Sequence, residues 1–306
     1  MDAVVVEGLT KNYGQTVALT NLSFTVGKGE LFGIIGPDGA GKSTLFRLLA
    51  TLLLPDSGSG SIDGYHLVNQ YREIRKRVGY MPGRFSLYPD MSVEENLHFI
   101  AAVFDTTPSV NARLMADIYG QLEPFRDRRA GALSGGMKQK LALCCALIHR
   151  PSLVLLDEPT TGVDPVSRKE FWTILRSLKQ EGITILVSTP YMDEALQCER
   201  IALMQEGAFL EIDTPQNMIA SFPETLWAVK ASNMSMLLRD IRSHGKVKSC
   251  QAFGQVHHVI LDSGFSEAQF RQYLMERGHS QLEMHTQLPG IEDCFMYRAN
   301  TTRYGQ

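Results

Sequence analysis

The stretch LFGIIGPDGAGKST, Leu31 to Thr44, constrains this chain more than any other. Five apolar residues run into a glycine-rich turn, and the turn opens onto a segment of helical period, Ser43–Leu53. Such a turn leaves successive backbone N–H groups facing one space. Glycine permits the close wrap, and the helix N-terminus adds a positive partial charge. The spacing is that of a phosphate-binding loop, G-x-x-x-x-G-K-[ST]. Gly36, Pro37, Asp38, Gly39, Ala40 and Gly41 form the cradle, and Lys42 reaches for the β- and γ-phosphates of ATP. Ser43 places a hydroxyl on Mg²⁺, with Thr44 beside it. A chance glycine-rich turn would lack the strand before it and the helix after it.

The rest of the first two-thirds fits that start. Ala3–Glu7 and Leu22–Val26 are short β-rich runs, and Leu153–Leu156 and Thr184–Val187 are continuous apolar runs of the kind buried in a parallel sheet. Ser167–Gln180, between the last two, reads as a helix closed by Gly182. Strand–helix–strand alternation of this kind predicts an α/β fold with right-handed crossovers. The 306 residues leave room for two domains. With 44% hydrophobic residues and a net charge of −3, no global basic field argues for nucleic acid and no apolar run reaches the length of a membrane-spanning helix. The basic stretch YREIRKRV, Tyr71 to Val78, reads as a solvated helix face before a strand, with a nucleic-acid contact as the alternative. The N-terminus lacks the pattern of a secretory signal, and five cysteines without CxxC spacing read as reduced thiols. A cytoplasmic protein is expected.

Two further motifs carry chemistry. LVLLDEP, Leu153 to Pro159, is an apolar strand ending in two carboxylates. Asp157 is placed to hold Mg²⁺ and Glu158 to polarise an attacking water as general base, with Lys42 on the phosphates. The alternative is an acidic helix start before Pro159. LSGGMKQKLALCCAL, Leu133 to Leu147, is a polar turn that opens an amphipathic helix, and so a second anion site. Two phosphate sites of different kinds suggest a head-to-tail dimer. One ATP would lie between the loop of one subunit and Ser134, Gly135 and Gly136 of the other.

With these motifs the sequence resembles the nucleotide-binding subunits of ABC transporters over roughly residues 2–220. LSGGMKQ is similar to the family signature, DEPTTGVDP to its carboxylate motif and D-loop, and KNYG to its aromatic loop. The resemblance implies a P-loop ABC cassette with a RecA-like core, an antiparallel β subdomain and a helical subdomain at about 84–150. It implies that Tyr13 stacks on adenine, where the alternative is an aromatic packed beside a turn, and that Asp164 communicates across the dimer. GVDP and the ending PGIEDCFMYR are most similar to ATPase subunits of drug-resistance-type exporters. Permease subunits on separate chains and a peripheral position on the cytoplasmic face of the membrane follow from that likeness.

Two positions depart from the family. GYMP is followed by Gly83 where the family has a glutamine that contacts Mg²⁺ and the water. The strand ending at Thr189 is followed by Pro190 where the family has a histidine on the γ-phosphate, while YMDEA beyond it keeps the register. A site that binds MgATP but hydrolyses it poorly is the expectation, with an asymmetric heterodimer or a homodimer both open. The alternatives are a regulatory nucleotide-binding subunit and a soluble ABC ATPase outside transport. Phe85, Leu87, Tyr88 and Met91 read as an apolar dock for the membrane partner or as core.

Residues 221–306 form an expected accessory α+β domain, ferredoxin-like in its alternation. Leu226–Ala231, Val247–Phe253 and Val256–Leu261 are its strands, and Met234–Ser243 and Ser266–Arg277 its helices. His257 and His258 face opposite sides of a strand and do not share a metal.

Overall fold

The computed structural model describes residues 2–110 and 112–304. Its contacts divide the chain into Met1–Pro215 with Phe295–Gln306, and Gln216–Cys294. The sequence puts the boundary at 220 and assigns the whole tail to the accessory domain.

The first unit starts with two long antiparallel strands, β1 (Asp2–Tyr13) and β2 (Thr16–Gly27), joined by a tight turn at Gly14, φ +61°. Sequence patterning shows only their apolar parts. Irregular pairing between Val6 and Lys11 interrupts the alternation and hides the polar half of β1. β3 (Leu31–Ile35) leads through the glycine loop into α1 (Lys42–Leu49). This helix stops short of the expected Leu53, because Thr51 adopts φ +58° and Leu52 and Leu53 both donate to the Arg47 carbonyl. β4 (Ser57–Ile62) and β5 (Tyr65–His66) complete a small antiparallel sheet in the order β2-β1-β4-β5. The basic stretch from Tyr71 is α2 (Tyr71–Arg75), an exposed turn of helix before β6 (Val78–Met81).

A helical segment follows. α3 (Val93–Val103) opens with a capping box between Ser92 and Glu95, α4 (Ala112–Leu122) comes next, and α5 (Gly135–Leu147) follows two short 3-10 turns. The main sheet is then finished by β7 (Leu153–Asp157), α6 (Pro165–Gln180), β8 (Thr184–Thr189), β9 (Arg200–Gln205) and β10 (Ala208–Asp213). Its order is β10-β9-β3-β8-β7-β6, parallel except for the β10 edge. Every residue of β3, β7 and β8 is buried, as continuous apolar strands in the middle of a parallel sheet require. Lys140 on α5, itself buried, donates to Glu170 on α6 at 2.7 Å and ties the helical segment to the core.

The second unit begins within α7 (Pro215–Ala220) and runs through β11 (Leu226–Lys230), α8 (Met234–Arg242), β12 (Val247–Phe253), β13 (Val256–Leu261), α9 (Glu267–Glu276), β14 (Glu283–Gln287) and the start of α10 (Ile291–Tyr304). The sheet order β12-β13-β11-β14 with all pairs antiparallel is the ferredoxin-like arrangement. β14 was not legible in the sequence, because as an edge strand it buries only Met284. His257 contacts the Met234 carbonyl at 2.8 Å and His258 the Asp293 carboxylate at 2.8 Å, so the pair divides between the faces as strand geometry dictates.

Candidate functional site

The parallel strands end together, and their register sets the site. Ile35 lies opposite Thr189 and Asp157 opposite Ser188, so the glycine loop, the two carboxylates and the end of β8 open into one crevice. Crevices outside the carboxyl ends of parallel strands are where such sheets bind ligands. Two glycines of the loop are there for space. A Cβ on Gly36 would stand 2.2 Å from the Met204 carbonyl oxygen, and one on Gly41, φ +106°, would stand 2.6 Å from that of Ala18. Pro37, Asp38 and Gly39 are exposed, Ala40 is buried, and Ser43 and Thr44 are half-buried at the start of α1.

Lys42 is almost fully buried. Its ammonium donates to the carbonyls of Gly36 at 2.8 Å and Pro37 at 3.0 Å, and pairs with Glu158 Oε1 at 3.0 Å. Glu158 reaches this position because its backbone takes φ +52°, a left-handed conformation that costs a non-glycine residue roughly 1–2 kcal/mol. Its N–H donates to both the carbonyl and the hydroxyl of Ser188, and that hydroxyl donates to Asp157 at 2.7 Å. Ser188 therefore orients the Asp157 carboxylate and anchors the Glu158 backbone. No motif marked it; the available signal was a polar residue inside the buried run TILVST. Asp157 and the Ser43 hydroxyl offer hard oxygen donors, a set that suits Mg²⁺.

The second anion turn is built separately. Ser134 caps α5 by accepting from the Met137 N–H at 3.3 Å, and Ser134 and Gly135 are exposed. Gly136 is buried against α6, where a Cβ would stand 2.7 Å from Ser167 Oγ. Asp164 caps α6 through the N–H groups of Val166 and Ser167, at 3.1 and 3.0 Å. The hydroxyl and amide of Ser167 hold the Asp164 carboxyl below its usual range. The fold thus joins the Ser134-Gly135-Gly136 turn to the Asp164 segment through Ser167. Among the described residues no hydrogen bond or ion pair joins that turn to Lys42 or to the glycine loop. Tyr13 stands at the tip of the β1–β2 hairpin, 46% exposed, with Lys11 Nζ 6.0 Å from its ring centre.

Residues 19–161 match the family model described as "ABC transporter". The chain is 44% identical over 303 residues to the probable multidrug ABC transporter ATP-binding protein YbhF of Escherichia coli (strain K12), covering 96% of this chain and 52% of that protein. It is 40% identical over 214 residues to the Nod factor export ATP-binding protein I of Burkholderia orbicola (strain AU 1054), covering 69% of this chain and 70% of the relative. The chain belongs to the ABC transporter ATP-binding proteins. It spans about half the length of the multidrug relative. The dimeric cassette MJ0796 in a post-hydrolysis state with ADP and Pi matches with TM-score 0.62 and 25% identity, over 69% of this chain and 98% of that one.

Gly83 and Pro190 both lie beside the crevice. Gly83 follows β6, and a Cβ there would stand 3.0 Å from the Asp157 carbonyl oxygen and 3.8 Å from its carboxylate Oδ2. Pro190 follows Thr189, whose carbonyl accepts from the Gly36 N–H at 3.3 Å. The two sequence neighbours of Pro190 already have partners. Thr189 is fully buried and donates to Glu194 at 2.6 Å, and Tyr191 lies under the Arg168 guanidinium at 4.1 Å.

Beside this end of the sheet a cleft of about 500 Å³ opens between β6 and the helices α3 and α5, lined by Leu52, Tyr80, Leu87, Val103, Phe104 and His149. Of the four expected docking residues, Leu87 lines it. Tyr88, half exposed, packs edge-on against Phe99, while Phe85 and Met91 are half-buried. His149 stacks on Phe104 with ring centres 3.9 Å apart, and burial lowers its pKa. Among the described residues no helix is long and apolar enough to cross a membrane.

Proposed function

We propose that this chain is the ATP-binding subunit of an ABC exporter, that it binds MgATP at Gly36–Thr44, and that its own site turns ATP over slowly. The observation that carries this is the crevice itself. Lys42 pairs with Glu158, and Ser188 bonds the Asp157 carboxylate and the Glu158 N–H, while the two positions expected to add polar side chains toward the γ-phosphate, 83 and 190, bring no hydrogen-bonding side chain.

Entering phosphates draw the Lys42 ammonium away from Glu158, which frees that carboxylate to accept a proton from water. The N–H groups of the loop and Lys42 carry the phosphate charge, and Ser43 and Asp157 would hold the Mg²⁺ that accompanies ATP. When bound, that ion would supply positive charge to the phosphates. With Gly83 and Pro190 the γ-phosphate loses two positioning groups, so binding survives better than hydrolysis. The Ser134-Gly135-Gly136 turn and Asp164 keep the features needed to complete a site across a head-to-tail dimer. The matched dimeric cassette bound to ADP and Pi supports this arrangement. The second cassette belongs to another copy of this chain or to a more active partner.

The apolar cleft beside β6 is proposed to receive a cytoplasmic segment of the permease subunits, a reading supported by the exporter names of the relatives. Calorimetry of MgATP on the purified chain, with Lys42→Met alongside, tests the binding claim. Steady-state phosphate release tests the rest. Binding that depends on Lys42, with turnover far below that of a partner cassette carrying glutamine and histidine, is the expected result. MgATP that fails to bind, or binds equally well without Lys42, would remove the proposal.

A further inference from the structure

Glu194 is a buried carboxylate outside the groups proposed to hold MgATP. It lies in the 3-10 turn Met192–Gln197 and is 3% exposed. Its Oε2 accepts from the hydroxyls of Thr160 at 3.0 Å and Thr189 at 2.6 Å. Its Oε1 has no hydrogen-bond partner among the described residues, and neither has Arg168 Nε, only 3.6 Å away. The same guanidinium lies 4.1 Å from the Tyr191 ring centre and 3.9 Å from Asp193 Oδ2. A charge-assisted N–H···O bond closes at about 2.7–2.9 Å, so this pair stops short of forming one. Leaving both atoms buried and unsatisfied is unfavourable. A displacement of under about 1 Å would complete the bond.

The two sides of the gap are attached to different parts of the cassette. On one side, Thr189 holds Gly36 N–H through its carbonyl and Glu194 through its hydroxyl, while Thr160 lies two residues after Glu158. On the other side, Arg168 is in the first turns of α6, and its N–H donates to the Asp164 carbonyl at 2.9 Å. Glu194 therefore stands between the floor of the phosphate crevice and the helix that carries Asp164.

We infer that Glu194 and Arg168 are positioning residues that relay the nucleotide state of the crevice to Asp164. As MgATP orders the glycine loop and the end of β8, Glu194 closes onto Arg168 and draws in the start of α6. This inference rests on the proposed binding of MgATP. It gives the cassette a route from nucleotide to dimer face that needs no side chain at position 190.

Trp172, one turn beyond Arg168 on α6 and 3% exposed, is the reporter, in a Trp227→Phe background that leaves it the sole tryptophan. MgATP is expected to shift Trp172 emission in the otherwise unaltered full chain. Glu194→Gln and Arg168→Gln should remove most of that shift while MgATP affinity stays within about 3-fold, equivalent to less than about 1 kcal/mol. Arg168→Lys, which keeps the charge, should restore part of it. Hydrogen exchange at the amides of Val166, Ser167 and Arg168 should follow the same pattern. Variants that melt lower yet respond fully would reduce the pair to a structural contact and overturn the inference. Bound MgATP with no α6 response in the unaltered background would also overturn it, leaving the proposed function intact. Failure of MgATP to bind would overturn both.

Discussion

On the proposed reading, Gly83→Gln and Pro190→His should raise hydrolysis, and the structure predicts unequal shares. Pro190 is half-buried and follows the residue whose carbonyl holds the first N–H of the glycine loop. A histidine there begins its side chain at the mouth of the phosphate crevice. Position 83 is tighter. Any side chain starts with a Cβ 3.0 Å from the Asp157 backbone oxygen, which must give by a few tenths of an ångström. That crowding is expected to cost about 1 kcal/mol, at the low end of overpacking penalties. A positioned acid–base or hydrogen-bonding group contributes about 10²–10⁴ in rate, or roughly 3–5 kcal/mol at the transition state. Pro190→His alone should therefore raise turnover about 10²-fold or more, and Gly83→Gln alone should give much less. The double variant should exceed both. The assay is steady-state phosphate release at saturating MgATP, with Glu158→Gln added to each variant to establish that the signal comes from this site. In a homodimer both sites carry the change, which leaves the ratio unaffected. A chain that already hydrolyses ATP as fast unaltered as repaired would refute the reasoning. So would a Pro190→His variant that binds MgATP normally without gaining rate.

Other expectations are narrower. Lys42→Met removes a charged donor whose bonds to phosphate are each worth about 1.5–3 kcal/mol, so MgATP affinity should fall about 10²-fold by calorimetry with little loss of fold. Gly136→Ala places a methyl 2.7 Å from Ser167 Oγ and should destabilise the cassette by about 1–3 kcal/mol in urea unfolding, with MgATP affinity at its own loop unchanged. His149 has its pKa lowered by burial, so below its ordinary value of 6.5 the unfolded chain takes up a proton that the folded chain resists. Stability should fall as pH drops from about 6.5 through the folded pKa, and His149→Phe should flatten that part of the profile in urea titrations between about pH 5 and 8.

The residues that meet in the crevice, Lys42, Asp157 and Glu158, were legible as candidates because each motif is local in sequence. A glycine loop needs only its own spacing, a preceding strand and a following helix, and two carboxylates at the end of an apolar strand announce themselves. The same locality let the flanking residues set the register by which Gly83 and Pro190 are proposed to depart from the family. Tertiary structure decided what holds these parts. Ser188 orients the Asp157 carboxylate and anchors the Glu158 backbone from a neighbouring strand, Ser167 seats Gly136 beside Asp164, and Glu194 faces Arg168 across a gap between two elements. The polar half of β1 and the edge strand β14 went unread for a related reason, since partner strands rather than their own patterns make them strands. Backbone turns and caps form between residues a few positions apart, so a sequence displays them. Contacts between distant segments exist only once the sheet order has brought those segments together.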